Sequence, residues 1–240
     1  MLNSFLFGLL AASSLAIGAA IALRFRIRKY AIGIIMAFGV GAMINLVTFE
    51  LVEDAFAHAN DIGIVIVGIL VGAITYFALD SLVDRISSRR HTPSSKQSGG
   101  IAILTGTVLD GIPESIIIGL SIATSGTVGI ATIATIFISN IPEALSSTTE
   151  LARGGWSKLR IVGLWTIVIA VSGLASLVGY AIFGSASSGL RAFIMAFAGG
   201  AVLTMLANSM MPTAYRDTGK WAGIVTTIGF CIAFAISMLG

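Results

Sequence analysis

The sequence predicts an all-α integral membrane protein, with eight transmembrane helices in a single domain that covers residues 1–240. First, 56% of the residues are hydrophobic and only 10% are charged, whereas about 25% of the residues of a soluble domain are charged. Second, the chain contains apolar runs of the roughly 20 residues that a bilayer-spanning helix needs. Third, basic residues recur in alternate loops between these runs. The predicted spans are 2–23, 31–57, 62–83, 101–123, 127–151, 159–183, 190–213 and 221–239.

The first span is predicted to be retained, with its N-terminus outside the cell. No Lys or Arg precedes this apolar run, and four follow it within 24–29. A secretory signal has the opposite order of charge and apolar residues. We therefore expect a membrane helix here and no cleaved leader.

The fourth and fifth spans are separated by a predicted tight turn. Residues 97–152 contain neither Lys nor Arg, and this stretch is far too long for one membrane crossing. The small polar residues 124–126, Thr-Ser-Gly, lie near its middle. Such a cluster is typical of a turn, so the stretch divides into two antiparallel helices.

The distribution of basic residues predicts the orientation. Thirteen of the 14 Lys and Arg residues follow odd-numbered spans, and only Arg191 lies in a loop after an even-numbered one. Because positive residues remain on the cytoplasmic side, both termini are expected to lie outside the cell. The protein is expected to be a multi-pass protein of the cell inner (plasma) membrane. The stretch at about 85–100 reads as a flexible cytoplasmic loop. This topology accounts for the sequence pI of about 9.3 without a nucleic-acid partner.

Three carboxylates are predicted to lie deep inside the membrane: Asp110, Glu114 and Glu143. A charge there costs about 2.5–3.5 kcal/mol on insertion scales, and a cation held between the carboxylates would offset that cost. Asp110 and Glu114 are four residues apart and share a face of the fourth helix, and Ser139 shares a face of the fifth with Glu143.

The phrase Ile-Pro-Glu occurs at 112–114 and again at 141–143. In two antiparallel helices, a repeated phrase is typical of an inverted repeat. A proline inside a helix also frees the carbonyl four residues back, so Pro113 and Pro142 each add a candidate backbone ligand. Each Ile-Pro-Glu phrase therefore predicts one half of a cation site, and the two helices together supply both halves. The alternative is that the prolines only kink the helices and the carboxylates are protonated.

These residues resemble the ZIP (Zrt- and Irt-like) family of divalent metal transporters. That family has eight spans, outward termini and a two-metal site between helices four and five, and its helix-four phrase is His-Asn-Ile-Pro-Glu-Gly. The matching stretches here are 110–115 (Asp-Gly-Ile-Pro-Glu-Ser), 139–144 (Ser-Asn-Ile-Pro-Glu-Ala), 50–55 in the second span and 198–212 in the seventh. The resemblance extends over the whole chain.

Several positions depart from the family pattern. Asp110 replaces the family's helix-four histidine, and Gly111 the asparagine beside it. The acidic residue often found after the first ligand of helix five is Asn140, and a helix-six glutamate corresponds to Ser172. The acidic pair of the seventh span is Asn208-Ser209, and the histidine-rich loop is reduced to His91.

The resemblance implies transport of divalent cations of the zinc, iron or manganese class. Its site residues would be Asp110, Glu114 and Glu143, with Ser139 and Asn140 as weaker ligands. Relative to the family pattern, acidic or amide groups are lost at Gly111, Asn140 and Ser172. This loss predicts one principal metal position in place of two. A set of oxygen ligands without imidazole favours harder cations such as Mn²⁺.

Glu50 and Asp54 are candidates for an external entrance, because two carboxylates that share a helix face concentrate cations. The alternative is that both carboxylates are simply solvated at the membrane interface.

No enzyme is expected, since His58 and His91 lie outside the membrane interior, and no resident cofactor is expected either. The single cysteine, Cys231, excludes an intrachain disulfide. The expected partners are divalent metal ions and the lipid bilayer, with a second copy of the chain as a candidate. The competing functions are proton or monovalent-cation conduction and metal binding without transport.

Overall fold

The computed structural model describes residues 2–59, 61–89, 111–123, 126–183 and 186–239. All regular secondary structure in these ranges is helical. The α-helices are α1 (Leu2–Arg24), α2 (Lys29–Asn45), α3 (Asp54–Ala59), α4 (Ile62–Arg89), α5 (Gly111–Ala123), α6 (Ile130–Arg153), α7 (Lys158–Phe183), α8 (Ser188–Met205), α9 (Met211–Thr218) and α10 (Trp221–Leu239). Two π-helical segments, Leu46–Glu53 and Leu206–Met210, join α2 to α3 and α8 to α9.

Six helical stretches in the described residues are long and apolar enough to cross a membrane: Leu2–Arg24, Lys29–Ala59, Ile62–Val83, Lys158–Ile182, Ser188–Thr218 and Trp221–Met238. Large apolar side chains are also exposed along α4 at helical spacing, including Ile66, Leu70 and Ile74. An exposed apolar surface of this extent is typical of contact with a partner or a membrane. The prediction of an all-helical, multi-pass membrane protein is confirmed by the length and apolar composition of these helices.

The fourth and fifth predicted spans differ from the other six. Only 111–123 of the fourth is described, as α5, and Asp110 lies outside the described residues. The fifth span forms α6, whose 24 residues are enough to cross a bilayer. Five polar side chains of α6 are buried within the bundle: Thr132, Thr135, Ser139, Asn140 and Thr148. A helix with this distribution faces protein on its polar side. The count of eight spans and the outward termini remain predictions.

The predicted cytoplasmic loop begins later than expected. Helix α4 continues to Arg89, so the first five residues of the predicted loop, 85–89, are helical. No glycine or proline interrupts this stretch, and a helix persists where no breaker stops it. The rest of the loop and His91 lie outside the described residues.

The helices pack as two groups. The first group is α1, α5, α6 and α7; the second is α2, α3, α4, α8, α9 and α10. Within each group, glycines allow very close backbone approach. A Cβ on Gly119 of α5 would meet the carbonyl oxygen of Ser176 in α7, and one on Gly41 of α2 would meet that of Thr226 in α10.

The seam between the two groups is filled mainly by larger side chains. One continuous cluster there contains Met43, Leu46, Ile117, Ile136, Met205 and Met210, among others. Across this seam, a Cβ on Gly39 of α2 would lie 3.2 Å from the Cα of Ser139 in α6. The backbone approach at Gly39 is therefore less close than the approaches at Gly119 and Gly41 within the groups.

The π-helical segment Leu46–Glu53 interrupts the second predicted span. A π-helix contains more residues per turn than an α-helix, and such segments occur frequently at functional sites. Glu50 and Glu53 lie inside the segment and Asp54 follows it directly. Glu50 and Asp54 are four residues apart in the sequence, but the turn between them is wider than the α-helical turn predicted from the sequence.

Candidate functional site

A small central cavity lies among the four helices of the first group. Its volume is about 10 Å³, close to the smallest cavity that can hold one water molecule. Its polar lining comes from Glu114 and Ser115 of α5, Asn140 of α6 and Ser172 of α7. Glu114 is 4% exposed, and Asn140 and Ser172 are each 5% exposed. A carboxylate, an amide and a hydroxyl thus share one enclosed space deep in the bundle.

Small residues shape this cavity. The α1 side is closed by Gly8, Ala11, Ala12 and Leu15. On α5, the Ser115 hydroxyl donates to the Gly111 carbonyl oxygen at 2.7 Å. A Cβ added at Gly111 would stand 3.5 Å from Ser172 Oγ. Gly111, Asn140 and Ser172 therefore line one cavity with Glu114.

Of the other two candidate ligands of α6, Ser139 lies against α2. The Ser139 hydroxyl donates to the Ile136 carbonyl oxygen at 3.0 Å, and Ser139 packs close to Gly39 of α2. Glu143 follows Ser139 by four residues and shares its helix face; its Oε1 atom is buried. The cavity with Glu114 is lined on α6 by Ile136 and Asn140 instead. The two sets of candidates occupy neighbouring faces of one helix.

Among the described residues, no group of three or more His, Cys, Asp and Glu side chains is close enough to hold a metal ion. A cation at Glu114 would therefore need neutral oxygen ligands as well as carboxylates. Asn140 and Ser172 supply such oxygens in the cavity. Pro142 lies inside α6, and because proline has no N–H, the carbonyl of Ile138 lacks its usual helical donor.

A second, much larger cavity of about 490 Å³ opens at the N-terminal end of α6. Three carboxylates and an imidazole line it: Glu50, Glu53, Asp54 and His58. We call it the acidic cavity. The Thr132 hydroxyl of α6 donates to Glu50 Oε2, and His58 Nδ1 donates to the Asp54 carbonyl oxygen at 2.8 Å. In a neutral ring, that bond leaves Nε2 as the acceptor or metal ligand.

The acidic cavity contains both entrance candidates, Glu50 and Asp54, and two further groups that the sequence did not single out. Glu53 and His58 read as residues at a helix end. The spacing carried a signal, because Glu53 follows Glu50 by three residues and His58 follows Asp54 by four. Such spacings place side chains on one face of a helix.

Helix α6 connects the two cavities. Gly129, Ile130 and Thr132 line the acidic cavity, and Ile136 and Asn140 line the central one. At 1.5 Å per residue, Thr132 and Asn140 are about 12 Å apart along the helix. Among the described residues, those that line the central cavity all belong to the first helix group, whereas residues of both groups line the acidic cavity.

Comparison with known proteins adds no assignment: no family model matches this sequence, and no curated protein matches it significantly.

Proposed function

We propose that this protein transports divalent metal cations of the zinc, iron or manganese class across the cell inner (plasma) membrane. The observation that carries the proposal is the position of Glu114, a carboxylate 4% exposed in a polar cavity between helices. Ionisable residues inside a membrane bundle are costly and are functional by default. A bound cation explains why the sequence retains one there.

The proposed binding residues are Asp110, Glu114 and Glu143, assisted by Ser139 and Asn140. Of these, Glu114 and Asn140 border the central cavity, whereas Ser139 and Glu143 lie on the neighbouring face of α6. Ser172 is added to this set, because its hydroxyl borders the same cavity as Glu114. The small volume of that cavity supports one cation stripped of most of its water, in line with a single principal metal position. Oxygen ligands alone favour harder divalent cations, although Zn²⁺ retains the higher raw affinity at most sites.

The acidic cavity serves as the cation entrance in this proposal. Its three carboxylates attract cations at long range, and its volume of about 490 Å³ accommodates a hydrated ion. The charge pattern of the loops supports placing this end outside the cell. An eight-span bundle with an inverted repeat and both termini outside, as the resemblance to the ZIP family implies, completes the proposal.

Flux in sealed liposomes tests the function. The wild-type chain and Glu114→Gln are reconstituted side by side, with Glu150→Gln as the matched control, because Glu150 is an exposed carboxylate at the end of α6. A metal-sensitive dye and a pH-sensitive dye inside the vesicles are read in parallel. We expect wild type and Glu150→Gln to carry metal, and Glu114→Gln to lose at least about tenfold, because the variant lacks the charge that stabilises the bound cation.

Two outcomes reject the proposal. Metal flux through Glu114→Gln at the wild-type rate would mean that the Glu114 carboxylate is not needed to bind the transported cation. Proton or monovalent-cation flux without metal flux identifies the competing function, cation conduction. Monodisperse elution of each variant before reconstitution separates lost function from lost folding.

A further inference from the structure

A third cavity, of about 580 Å³, lies at the C-terminal end of α6. Its wall comes from the end of α1, the link that follows and the last turn of α6. The lining residues are Ala22, Leu23, Arg24, Phe25, Arg26, Ile27, Thr149, Ala152 and Arg153. We call it the basic cavity, because three arginines border it without a carboxylate among the described lining residues. Glu150, three residues before Arg153, is not part of the lining.

The three arginines lack acidic partners in the part of the chain that the structure describes. Arg24, Arg26 and Arg153 take part in no ion pair among the described residues, in contrast to Arg216, which pairs with Asp217. Two helix C-termini, those of α1 and α6, each contribute about half a negative charge. The cavity therefore retains a net charge of about +2.

A phosphate group fits this charge and these donors. The planar guanidinium group presents paired N–H donors that match phosphate oxygens, and bonds between ionised groups are the stronger hydrogen bonds. A divalent cation would instead be repelled. The basic cavity is therefore no part of the proposed cation path and needs a different ligand.

The surroundings favour the phosphate of a lipid. Arg24 is the first charged residue after the apolar run of α1, so the cavity lies at the depth where the hydrocarbon core ends. Leu23 and Ile27 form apolar parts of its wall. Phe25 is 61% exposed, with the Arg24 Cζ atom 5.8 Å from its ring centroid. Free phosphate would leave these apolar groups uncovered, whereas a lipid's acyl chains would cover them.

We infer that the basic cavity binds the headgroup phosphate of an anionic phospholipid from the membrane leaflet at that end of α6. The lipid phosphate would join the end of α1 to the end of α6 through Arg24, Arg26 and Arg153. Basic pockets between membrane helices are suited to anionic headgroups. This inference does not depend on metal transport.

Lipid retention measured by native mass spectrometry tests the site. The full chain in neutral detergent is titrated with dioleoylphosphatidylglycerol, and bound lipids are counted. The triple variant Arg24→Gln, Arg26→Gln, Arg153→Gln removes the cavity charge. The triple variant Lys158→Gln, Arg160→Gln, Lys220→Gln removes the same charge from exposed residues outside the cavity. We expect the cavity variant to need about tenfold more lipid, given the strength of arginine–phosphate bonds, and the control to resemble wild type.

Three results overturn the inference. Equal weakening in both triple variants means that any basic surface suffices. Equal retention of dioleoylphosphatidylcholine means that the anionic charge is not recognised. Displacement of the lipid by inorganic phosphate means that the site takes a free anion. If the cavity variant does not purify, Arg153→Gln against Arg160→Gln makes the same comparison with one charge each.

Discussion

The acidic and basic cavities lie at opposite ends of α6 and have similar volumes, about 490 and 580 Å³, but they carry opposite charge. Three carboxylates and an imidazole line one, and three arginines line the other. The central cavity with Glu114 lies between them, with Asn140 about 20 Å from Arg153 along the helix. In a chain with only 10% charged residues, this separation by sign is the basis for proposing cation capture at one end and anion binding at the other.

The two ends also differ in which helices build them. Both helix groups contribute to the acidic cavity, whereas α1, α6 and the link after α1 form the basic one. A relative movement of the groups would therefore reshape the acidic cavity and leave the basic cavity largely unchanged. The seam between the groups, where Gly39 faces Ser139, is the place at which such a movement can be blocked.

The largest expected effect comes from closing that seam with a disulfide. A Cβ at Gly39 would lie 3.6 Å from Ser139 Cβ, within the range of about 3.5–4.5 Å that a disulfide requires. In a Cys231→Ala background, Gly39→Cys with Ser139→Cys should lose metal uptake to the background level when oxidised and regain it on reduction. Uptake is measured in liposomes before and after a membrane-permeant reductant.

Each single cysteine variant is the control for that experiment, because Ser139 is itself a candidate ligand. Uptake that is equal in the oxidised and reduced double variant would mean that the two helix groups need not move. The basic-cavity lipid should be retained in both redox states.

A smaller effect is expected from removing charge at the acidic cavity alone. Glu50→Gln with Asp54→Asn should lower metal uptake at low ionic strength by about tenfold, since electrostatic focusing raises association rates by about 10–10³. The difference should shrink as salt rises, because screening weakens long-range attraction. Initial uptake rates at two salt concentrations measure both effects.

Asp61→Asn with Glu150→Gln is the matched pair for this test, because it removes two exposed carboxylates outside the cavity. If this control pair slows uptake as much as Glu50→Gln with Asp54→Asn does, the net charge of the protein determines the rate and the acidic cavity has no special role. Lipid retention at the opposite end should be the same in both double variants.

The smallest effect on uptake is expected from Thr132→Val, which removes the hydroxyl that donates to Glu50. A hydrogen bond to a charged group contributes about 1.5–3 kcal/mol, so the variant should unfold at a lower temperature in detergent. Uptake should change by less than about twofold, because the carboxylates that attract the cation remain. Thr135→Val, also buried on α6, should be the milder change, and equal melting temperatures would contradict a stabilising role for the Thr132–Glu50 bond.

Six of the eight predicted spans agree closely with the long apolar helical stretches of the described residues, because apolar run length determines membrane helices directly. The first span, 2–23, is Leu2–Arg24, and the sixth, 159–183, is Lys158–Phe183. The π-helical segments could not be read from the sequence, because α- and π-winding differ little in local preference and packing against neighbours decides between them. Glu53 lies inside one of these segments. The spacing of Glu53 from Glu50 and of His58 from Asp54 was readable from the sequence, but neither residue was predicted at the entrance.

The site was predicted in part. Spacing alone grouped Ser139 with Glu143, yet Asn140 is the α6 residue that shares the cavity with Glu114. The rotation of α6 about its axis decides this, and contacts distant in sequence set that rotation. One is the approach of Gly18 in α1 to the Ile141 carbonyl oxygen, and another is that of Gly39 in α2 to Ser139. The metal role of Asp110, Glu114 and Glu143 stays a prediction.

The central claim, that Glu114 holds the transported cation, is tested most directly by metal stoichiometry. Purified wild type, Glu114→Ala and Glu150→Ala are equilibrated with Zn²⁺ or Mn²⁺, and tightly bound metal per chain is measured together with X-ray absorption at the metal edge. We predict one tightly bound metal per chain in wild type and in Glu150→Ala, with oxygen ligands, and none in Glu114→Ala. Metal that remains bound in Glu114→Ala, or a nitrogen-rich ligand shell, would contradict the assignment.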